Sequence, residues 1–327
     1  MRPEHTRHLA CPDCRGPLEL RADERAGPHV LTGALRCAAC ATEHPVRGGI
    51  PRFGGAPGET LAPAVAARFS ASWRAFPHSL PAFERQFFDW LAPFGPDDFR
   101  GAVVLEAGCG KGRHTRVVAA CQPEVVIALD LGDVVELAFA STVHDPHALV
   151  VQGDILHPPI PLASVDLCFS VGVIHHLPDP AAGVRSLRPC LRPGGQLVMW
   201  VYGRENNGWV VHLVSPVRER VTSRLPNELL RALCFTPALG VCAVSRAYRR
   251  APEGLAAQLP YAPYLRSIGA FPLHEVHSIV HDHLVTPVAF YLRQDEVEGM
   301  LQAAGLTGVG VRWHREYSWT GWGRAPG

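Results

Sequence analysis

Four cysteines near the start of the sequence have the spacing of metal ligands. They form two C-x-x-C pairs, Cys11 with Cys14 and Cys37 with Cys40, and 22 residues separate the pairs. Each pair makes a tight turn that directs two thiolates at one ion, and four thiolates suit a tetrahedral zinc ion. The spacing therefore predicts a closed structural zinc site that supplies much of the folding energy of a small N-terminal unit. A redox C-x-x-C motif would need a βαβ context, which this segment lacks.

A second chemical signal is a glycine-rich turn that follows the apolar run 102–105. Gly108, Gly110 and Gly112 occupy every second position after Glu106, and such a turn lets a ligand approach the backbone closely. The spacing matches neither the G-x-G-x-x-G motif of dinucleotide sites nor the G-x-x-x-x-G-K-[ST] motif of phosphate loops. A carboxylate at Glu106 would repel a pyrophosphate, but it would suit a ligand that carries an ammonium and a sulfonium. The pattern therefore points to S-adenosylmethionine.

Acidic residues follow two further apolar runs, in the order that such a ligand needs. Asp130 comes directly after the run 125–129, where it can accept both hydroxyls of a ribose. Asp154 follows the run 148–151, where it can accept from an adenine amino group. Each acid taken singly could also cap a turn. The ordered set, continued by 175–179 (HHLPD) and 191–197 (LRPGGQL), favours a ligand site.

The elements that would position these residues alternate between strands and helices from residue 102 onward. Apolar runs predict strands at 103–107, 125–129, 148–151, 167–171, 196–201, 307–313 and 316–322. Helical patterns lie at 113–121, 133–141, 180–191 and 294–304. This alternation predicts a parallel sheet that is covered on both faces. Aromatic residues at helical spacing within 69–90 predict helices that pack over the core of this domain.

Together these motifs resemble the class I S-adenosylmethionine-dependent methyltransferases, in particular the small-molecule type with His-His-Leu-x-Asp and Leu-x-Pro-Gly-Gly motifs. The resemblance covers residues 101–203 and 292–323. It implies a Rossmann-like α/β fold with a seven-stranded sheet, in the order 3-2-1-4-5-7-6, whose last strand is antiparallel. It also implies a site for S-adenosylmethionine formed by Glu106, Gly108, Cys109, Gly110, Gly112, Asp130, Leu131, Asp154, Ile155, Ser170 and Val171.

The cysteine-rich segment resembles the Trm112-like zinc ribbon over residues 7–53. The shared features are the surroundings of both cysteine pairs and the run 44–51 (HPVRGGIP). The sequence departs from that family at His44, where tyrosine is usual. The two resemblances imply three parts: a zinc ribbon at 1–54, a linker with aromatic helices at 55–100, and a methyltransferase domain at 101–327. Within the last part, 204–291 is a helical insertion that lines the acceptor pocket.

The candidate catalytic residues are His175, His176, His281, Asp282 and Tyr291. Methyl transfer from a sulfonium needs mainly positioning, and it needs a base only where the acceptor must lose a proton. The first two candidates lie near the methyl group by motif position, and the last two belong to a segment that resembles an acceptor-pocket wall in some class I enzymes. His274, His277 and His281 share one helix face, which leaves open a metal site or the exposed face of an amphipathic helix.

The composition limits the choice of partners. The chain has 327 residues and a formal net charge of +1, so it lacks the basic excess of sequence-independent nucleic-acid binders. It has no apolar run near the ~20 residues that span a bilayer, and its start lacks the hydrophobic segment of a secretory signal. We therefore expect a cytoplasmic protein, without a membrane partner, whose cysteines are reduced or metal-bound.

These observations predict methyl transfer from S-adenosylmethionine to a small-molecule acceptor, with one structural zinc. Two alternatives stay open: an RNA or protein methyltransferase that grips its substrate with the ribbon, and a non-catalytic scaffold. Basic and acidic residues are interspersed in 1–53, so we expect no contiguous basic face there and only weak RNA binding at physiological salt. We also expect the ribbon to pack beside the 204–291 insertion and brace it. The acceptor and the oligomeric state stay open.

Overall fold

The computed structural model describes residues 1–54, 61–76, 82–256 and 258–327, so residues 55–60 of the predicted linker lie outside the described part. An N-terminal antiparallel sheet precedes a larger mixed sheet. The strands of the first sheet follow each other in sequence: β1 (Leu18–Ala26), β2 (His29–Cys37), β3 (Glu43–Arg47) and β4 (Ile50–Pro51). Val30, Leu35 and Val46 are buried between this sheet and the rest of the chain.

The larger sheet has seven strands in the order β10-β11-β9-β8-β5-β6-β7. Their bounds are β5 (Val103–Ala107), β6 (Val125–Asp130), β7 (Ala148–Gln152), β8 (Val165–Val171), β9 (Leu191–Tyr202), β10 (Thr307–His314) and β11 (Ser318–Arg324). The strands β5 to β9 pair in parallel, whereas β11 is antiparallel to both β9 and β10. Counted from β5, this order is 3-2-1-4-5-7-6, which confirms the predicted topology and the predicted fold class.

Helices lie on both faces of the large sheet and form most of the segment 204–291. Their bounds are α1 (Leu61–Ala75), α2 (Ala82–Leu91), α3 (Arg113–Ala120), α4 (Val135–Thr142), α5 (Pro180–Leu187), α6 (Ser215–Arg220), α7 (Asn227–Arg250), α8 (Glu253–Ala256), α9 (Ala262–Ile268), α10 (Leu273–Val285) and α11 (Gln294–Ala303). Shorter helical turns lie at Pro3–His8, Pro96–Asp98, Ile174–His176, Arg188–Cys190, Val210–Val214 and Thr222–Arg224.

The central strands are continuous apolar runs in the sequence because both faces of the sheet are buried. In β6, Ile127 and Leu129 face one core, whereas Val126 faces a second core that also holds Phe87 of α2 and Phe169 of β8. All five side chains are essentially inaccessible to solvent. A strand that is buried on both sides loses the polar alternation of a half-exposed strand. The aromatic residues of α2 therefore pack over the core, as predicted.

The N-terminal unit packs against the β7 edge of the large sheet, where Arg52 and Gln152 form an isolated parallel bridge. The backbone N–H of Phe53 donates to the carbonyl of Gln152 at 2.8 Å, and the N–H of Ala10 donates to the carbonyl of Pro159 at 3.0 Å. The Arg52 guanidinium adds contacts to Gln152 at 2.5 Å and to Glu136 at 3.3 Å. The expectation that the ribbon packs beside the 204–291 insertion is therefore wrong, because the ribbon packs at the edge of the sheet formed by β7. The apolar edge of the parallel sheet, at β7 and α4, offers the ribbon its docking surface instead.

The segment 204–291 leaves and rejoins the sheet at one point. The N–H of Arg204 donates to the carbonyl of Leu292 at 2.9 Å, and the N–H of Leu292 donates to the carbonyl of Tyr202 at the same distance. Within the segment, α7 packs on α9 and α10, and α10 also contacts α1. The segment thus forms a helical layer above the carboxyl ends of β8 and β9.

The strand β9 begins at Leu191, five residues before the predicted start at 196. The Pro-Gly-Gly segment, predicted as a turn, lies inside this strand as an irregularity. The partner of Val165 is Leu191 and the partner of Leu167 is Gln196, so the pairing with β8 skips several residues between them. Glycines accommodate such a skip because they lack a side chain that must stay in register.

Candidate active site and candidate metal centre

The glycine-rich turn lies between β5 and α3, and its three glycines have different surroundings. Gly108 and Gly110 have φ angles of 93° and 53°, in the left-handed region that favours glycine. A Cβ atom on Gly110 would lie 2.5 Å from Cζ3 of Trp73, so the indole of α1 packs directly on the turn. A Cβ atom on Gly112 would instead meet the backbone of Ala138 in α4 at 2.8 Å. The first two glycines line cavities, whereas Gly112 allows α3 and α4 to pack closely.

A cavity of about 80 Å³ opens at the carboxyl ends of β5, β6 and β7. The predicted cofactor residues in its wall are Gly108, Asp130, Leu131, Asp154 and Ile155. The carboxylate of Asp130 accepts hydrogen bonds from the backbone N–H groups of Gly110 at 2.9 Å and Gly132 at 2.8 Å. Burial raises the pKa of Asp130, and these two amides oppose the shift. In open α/β sheets this edge is where ligands bind.

Asp154 combines the two roles that the sequence left open. Its Oδ1 atom accepts from the backbone N–H of Leu156 at 2.8 Å, which caps the turn after β7. Its Oδ2 atom lies 3.6 Å from Nδ1 of His157. The residue also belongs to the wall of the smaller cavity. A turn-capping carboxylate can therefore present its second oxygen to a ligand.

Glu106 lies beneath the glycine turn and is absent from the described residues that line the cavities. Its Oε2 atom accepts from the Thr115 hydroxyl at 2.5 Å, and His114 Nδ1 lies 3.9 Å from Oε1. Burial raises the pKa of Glu106 to about 8. Among the described residues, Oε1 has no hydrogen-bond partner. A buried acceptor without a donor is costly, so this carboxylate fits a site whose ligand supplies a donor.

The remaining predicted cofactor residues divide between the two cavities and the sheet itself. The Ser170 hydroxyl donates to the carbonyl of Ala107 at 2.8 Å, which ties β8 to β5 and commits this buried hydroxyl to the backbone. Val171 and Cys109 lie in the wall of a second, larger cavity. The structure thus brings Val171 and Cys109 to the site and leaves the Ser170 side chain in the sheet.

The second cavity has a volume of about 170 Å³ and lies above the ends of β8 and β9, under α9 and α10. Aromatic side chains form much of its wall: Phe69, Trp73, Trp90, Trp200, Tyr202, Tyr264, Phe271 and Tyr317. Six residues line both cavities, so the two are adjacent chambers: Phe69, Trp73, Gly108, Gly172, Val173 and His176. A Cβ atom on Gly172 would find its nearest atom, on Trp200, 3.8 Å away, and would therefore occupy cavity space.

His176 is the predicted catalytic histidine that reaches both chambers. Its Nδ1 atom lies 2.7 Å from the carbonyl oxygen of Val288. A carbonyl only accepts, so Nδ1 carries the hydrogen and Nε2 is the basic nitrogen of the neutral ring. Burial lowers the pKa of His176 to about 4. His175 is fully buried, packs with its ring centroid 4.1 Å from that of Tyr202, and is absent from the described cavity walls.

Asp282 also lines the larger chamber. The hydroxyl of Ser72, on α1, contacts both Asp282 and the adjacent His281 of α10. The Ser72 hydroxyl donates to Asp282 Oδ1 at 2.8 Å and lies 2.9 Å from His281 Nδ1. Burial raises the pKa of Asp282 to about 6. His281 lies behind this contact, outside the described cavity walls. Tyr291 also lies outside them and stacks on Tyr202 at 5.4 Å between ring centroids.

Charged side chains of both signs meet in the larger chamber. The guanidinium of Arg113 lies 4.5 Å from the ring centroid of Phe83 and 4.0 Å from the Glu275 carboxylate. Lys111 donates to the carbonyl of Phe76 at 2.6 Å. Burial lowers the pKa of both cations. With Asp282, these groups give an aromatic chamber two basic and two acidic side chains, which suits an acceptor with a ring or apolar body and a polar group.

The four paired cysteines converge at one point of the N-terminal unit. Their Sγ atoms all lie within 4.8 Å of one another, with Cys11 3.7 Å from Cys40 and Cys14 3.4 Å from Cys37. A tetrahedron of thiolates around zinc has sulfur–sulfur distances of ~3.8 Å, given Zn–S bonds of ~2.3 Å. His44 Nε2 lies 3.6 Å from Cys11 Sγ. The donor set and its spacing therefore fit a zinc ion.

The described histidines of α10 do not place their ring nitrogens close enough to other ligand atoms to share a metal ion. His277 Nε2 lies 2.8 Å from the carbonyl of Arg231, and His281 contacts Ser72. Over the described ranges, the groups close enough to share a metal ion are the four cysteines and a set of Cys11, Asp13 and His44. The metal-site alternative for this helix is therefore not supported by the described part of the chain.

Several side chains of the site were not among the predicted site residues. Phe69 and Trp73 were interpreted as core residues, yet they line both chambers. Tyr202 ends β9, one residue beyond the predicted strand, and Ser72 lies on the same helix as the two aromatic residues. The signal for the aromatic pair was their spacing of four residues in a helix that precedes the sheet, which does not distinguish a core face from a ligand face.

Two family models match the chain. Residues 105–199 match the methyltransferase domain model, and residues 3–49 match the Trm112p-like protein model. Both predicted resemblances are confirmed for these residues. Residues 105–199 thus form a methyltransferase domain, and the preceding four-cysteine unit is a Trm112p-like domain.

The curated relatives match about two fifths of this chain. A tRNA U34 carboxymethyltransferase of Trichlorobacter lovleyi is 30% identical over 137 residues, which are 39% of this chain and 42% of that protein. A malonyl-(acyl-carrier protein) O-methyltransferase of Yersinia pestis is 35% identical over 136 residues, which are 40% and 48% of the two chains. The chain thus spans less than half the length of either relative. A solved complex of the Haloferax volcanii Trm112 methyltransferase activator and a methyltransferase is 14% identical, with a TM-score of 0.42 over 79% of this chain and 98% of that one.

Proposed function

We propose that this chain, with its methyltransferase domain behind a Trm112p-like domain, transfers a methyl group from S-adenosylmethionine to a small-molecule acceptor. The observation that carries the proposal is the pair of adjacent cavities at the carboxyl ends of the parallel strands. The smaller one contains the acids that a nucleoside needs, and the larger one is aromatic. His176 lies where the two meet.

The residues around the smaller cavity have the chemistry to hold the cofactor. Asp130 is fixed by two backbone amides and can accept from ribose hydroxyls, and Asp154 can accept from the adenine amino group. The orphaned Oε1 of Glu106 can accept from the methionine ammonium, directly or through water. The bound cofactor supplies a methyl group on a cationic sulfur, which is transferred by in-line displacement.

The residues of the larger chamber would position the acceptor and handle its proton. His176 is neutral at pH 7 because burial lowers its pKa to about 4. As a weak base, its Nε2 can take the proton of a hydroxyl or thiol acceptor while that atom gains positive charge during methylation. Asp282, held by Ser72, can accept a hydrogen bond from the acceptor and orient it. The aromatic walls exclude water and hold the acceptor in line with the methyl group.

We further propose that the four cysteines bind one structural zinc ion. The ion would fix the turns that carry Cys11 and Cys37, which are both buried in the core shared by the ribbon and the sheet edge. A buried neutral His44 can donate from Nε2 to the Cys11 thiolate. In this division of the chain, 1–54 is the ribbon, 101–327 is the methyltransferase domain, and 204–291 forms the lid of the acceptor chamber.

A second candidate function is methylation of RNA. One relative bears the name of a tRNA-modifying enzyme, whereas the other bears the name of an enzyme that methylates a carrier-bound malonyl group. The small-molecule proposal is supported by the modest chamber volume of about 170 Å³ and by α9 and α10, which cover it. It is also supported by the position of the ribbon at the β7 edge, away from that chamber.

The experiment offers the purified chain two pools of acceptors together with S-adenosylmethionine labelled on its methyl group. One pool is total tRNA, and the other is a filtrate of small metabolites. We expect label in the small-molecule pool and none in tRNA above the level of a heat-inactivated control. Label that enters tRNA and is lost with His176→Asn would overturn the small-molecule proposal and support the RNA alternative.

A further inference from the structure

The long helix α7 exposes most of its surface, although its sequence is apolar. Its buried positions form one narrow stripe, which packs on α9 and α10: Leu230, Cys234, Ala238, Cys242 and Ser245. Around that stripe the helix presents apolar side chains to solvent. Leu233, Phe235, Leu239 and Val244 are 44% to 56% exposed.

A second group of exposed apolar side chains lies on the segment that precedes α7. Trp209, Leu213, Val217 and Val221 are each at least half exposed, and Leu213 reaches 68%. We call this surface, formed by residues 209–221 and 227–250, the α6–α7 face. Exposed large apolar side chains in this number often mark an interaction site. Trp, Leu and Val with flanking Arg are typical of segments that lie in the interface of a bilayer.

The length of the uncharged part of α7 determines how it could meet a bilayer. By length and composition, α7 is the one helix among the described residues that could cross a membrane. No charged residue lies between Arg231 and Arg246, which leaves 14 uncharged residues, or about 21 Å of helix. A bilayer core is ~30 Å thick. The uncharged part is therefore too short to span, but it suits a helix that lies along the surface with its apolar side in the lipid.

The C-terminal end of α7 adds a site for anions. Arg246, Arg249 and Arg250 surround a surface depression that is closed on its other side by residues 269–272. No carboxylate pairs with these three guanidinium groups within the part of the chain that the structure describes. Residues 204–266 contain nine arginines, four glutamates and no aspartate. Basic pockets beside apolar helices are typical sites for lipid phosphate groups.

We propose that the α6–α7 face docks on the surface of a bilayer that contains anionic phospholipids. The apolar side chains enter the interfacial layer, and the cluster of Arg246, Arg249 and Arg250 binds lipid phosphates. The charge of the face favours lipid over a second copy of this chain, because residues 204–266 of a second copy contain nine arginines and only four glutamates and so provide few acids for these guanidinium groups. A nucleic acid would satisfy the arginines but would leave the apolar side chains exposed. This docking departs from the expectation that the protein has no membrane partner. It is independent of the proposed function, because it concerns binding alone.

The test is flotation of the full chain with vesicles of two compositions. One set contains phosphatidylcholine alone, and the other contains phosphatidylcholine with one third phosphatidylglycerol. We expect the chain to float with the anionic vesicles, to bind them more than tenfold tighter than the neutral ones, and to lose binding as salt is raised. An absence of binding to the anionic vesicles would overturn the proposal.

Two variants separate the apolar and the basic contributions, and each has a matched control. Leu233→Glu with Leu239→Glu places charges on the apolar part, and Leu162→Glu alters an equally exposed leucine elsewhere. The triple change Arg246→Gln, Arg249→Gln and Arg250→Gln should weaken binding about 100-fold, given a factor of about five for each arginine near an anionic surface. Its control changes three exposed ribbon arginines: Arg21→Gln, Arg25→Gln and Arg36→Gln.

The altered side chains are exposed, so all four variants should melt within a few degrees of the parent chain. Equal binding by the α7 variants and their controls would refute the docking surface. Light scattering of the chain without lipid provides a second readout. A dimer that Leu233→Glu with Leu239→Glu dissociates would assign the face to a second copy and would also contradict the proposal.

Discussion

Replacement of Asp130 by asparagine tests whether this acid holds the cofactor. Asp130 accepts from two backbone amides, Gly110 N at 2.9 Å and Gly132 N at 2.8 Å, and faces the smaller cavity. Asparagine keeps one acceptor oxygen, so one buried amide loses its partner and two ribose hydroxyls lose a charged acceptor. Loss of a charged hydrogen-bond partner costs about 1–3 kcal/mol. The dissociation constant for S-adenosylhomocysteine should therefore rise by about 5- to 150-fold.

The assay is calorimetric titration of the parent chain and Asp130→Asn at one pH and salt concentration. Asp133→Asn is the control, because it removes the same charge from a residue that is 64% exposed and lies outside the cavity walls. The melting temperature of Asp130→Asn should fall by a few degrees, as expected when one buried amide is left unpaired. An affinity within twofold of the parent, in a variant that melts as a folded protein, would refute the assignment of Asp130 to the ribose.

Three further predictions concern the other parts of the chain. Elemental analysis should find about one zinc per chain, and Cys37→Ser should lower that content and the melting temperature, whereas unchanged zinc would exclude Cys37 as a ligand. His176→Asn should lower turnover by about 10²–10⁴-fold with little change in cofactor affinity, and Tyr291→Phe should change turnover less because Tyr291 lies outside the described cavity walls. Stability in urea should fall as pH drops from 6.5 toward 4, by about 1.4 kcal/mol per pH unit for each histidine buried in its neutral form. Five histidines have their pKa lowered to about 4, so the unfolded chain binds more protons in that window: His5, His176, His281, His283 and His314. The raised pKa values of Glu106 and Asp282 offset only part of this effect, and equal stability at pH 7 and 5 would contradict it.

The strands of the sheet were predictable because each carries its own local signal, whereas their order came from the resemblance to the class I methyltransferases. The apolar runs at β5, β6 and β7 are each followed by a glycine or an acid, and these residues lie at one edge of the sheet. The two C-x-x-C pairs predict the metal centre in the same local way, since each turn is closed within four residues. The start of β9 was misplaced because a Pro-Gly-Gly segment is typical of a turn, whereas here it lies within the strand as an irregularity.

The acceptor chamber was much less predictable, because its walls come from distant parts of the chain. Trp73 of α1 meets Gly110, and Ser72 reaches Asp282 across 210 positions of sequence. Helical spacing identifies a face but does not say whether a core or a ligand covers it. The docking of the ribbon depends on the sheet edge at Gln152 and on Arg52. Such contacts between units do not produce a periodic pattern of apolar residues in the sequence of either segment, so they could not be predicted.

Calorimetric titration of the unmodified chain with S-adenosylhomocysteine and, separately, with NAD tests the cofactor assignment most directly. We predict saturable binding of one S-adenosylhomocysteine per chain and no saturable binding of NAD, because the spacing of Gly108, Gly110 and Gly112 does not match the dinucleotide motif. Saturable binding of NAD without any response to S-adenosylhomocysteine or S-adenosylmethionine would contradict the proposed S-adenosylmethionine site.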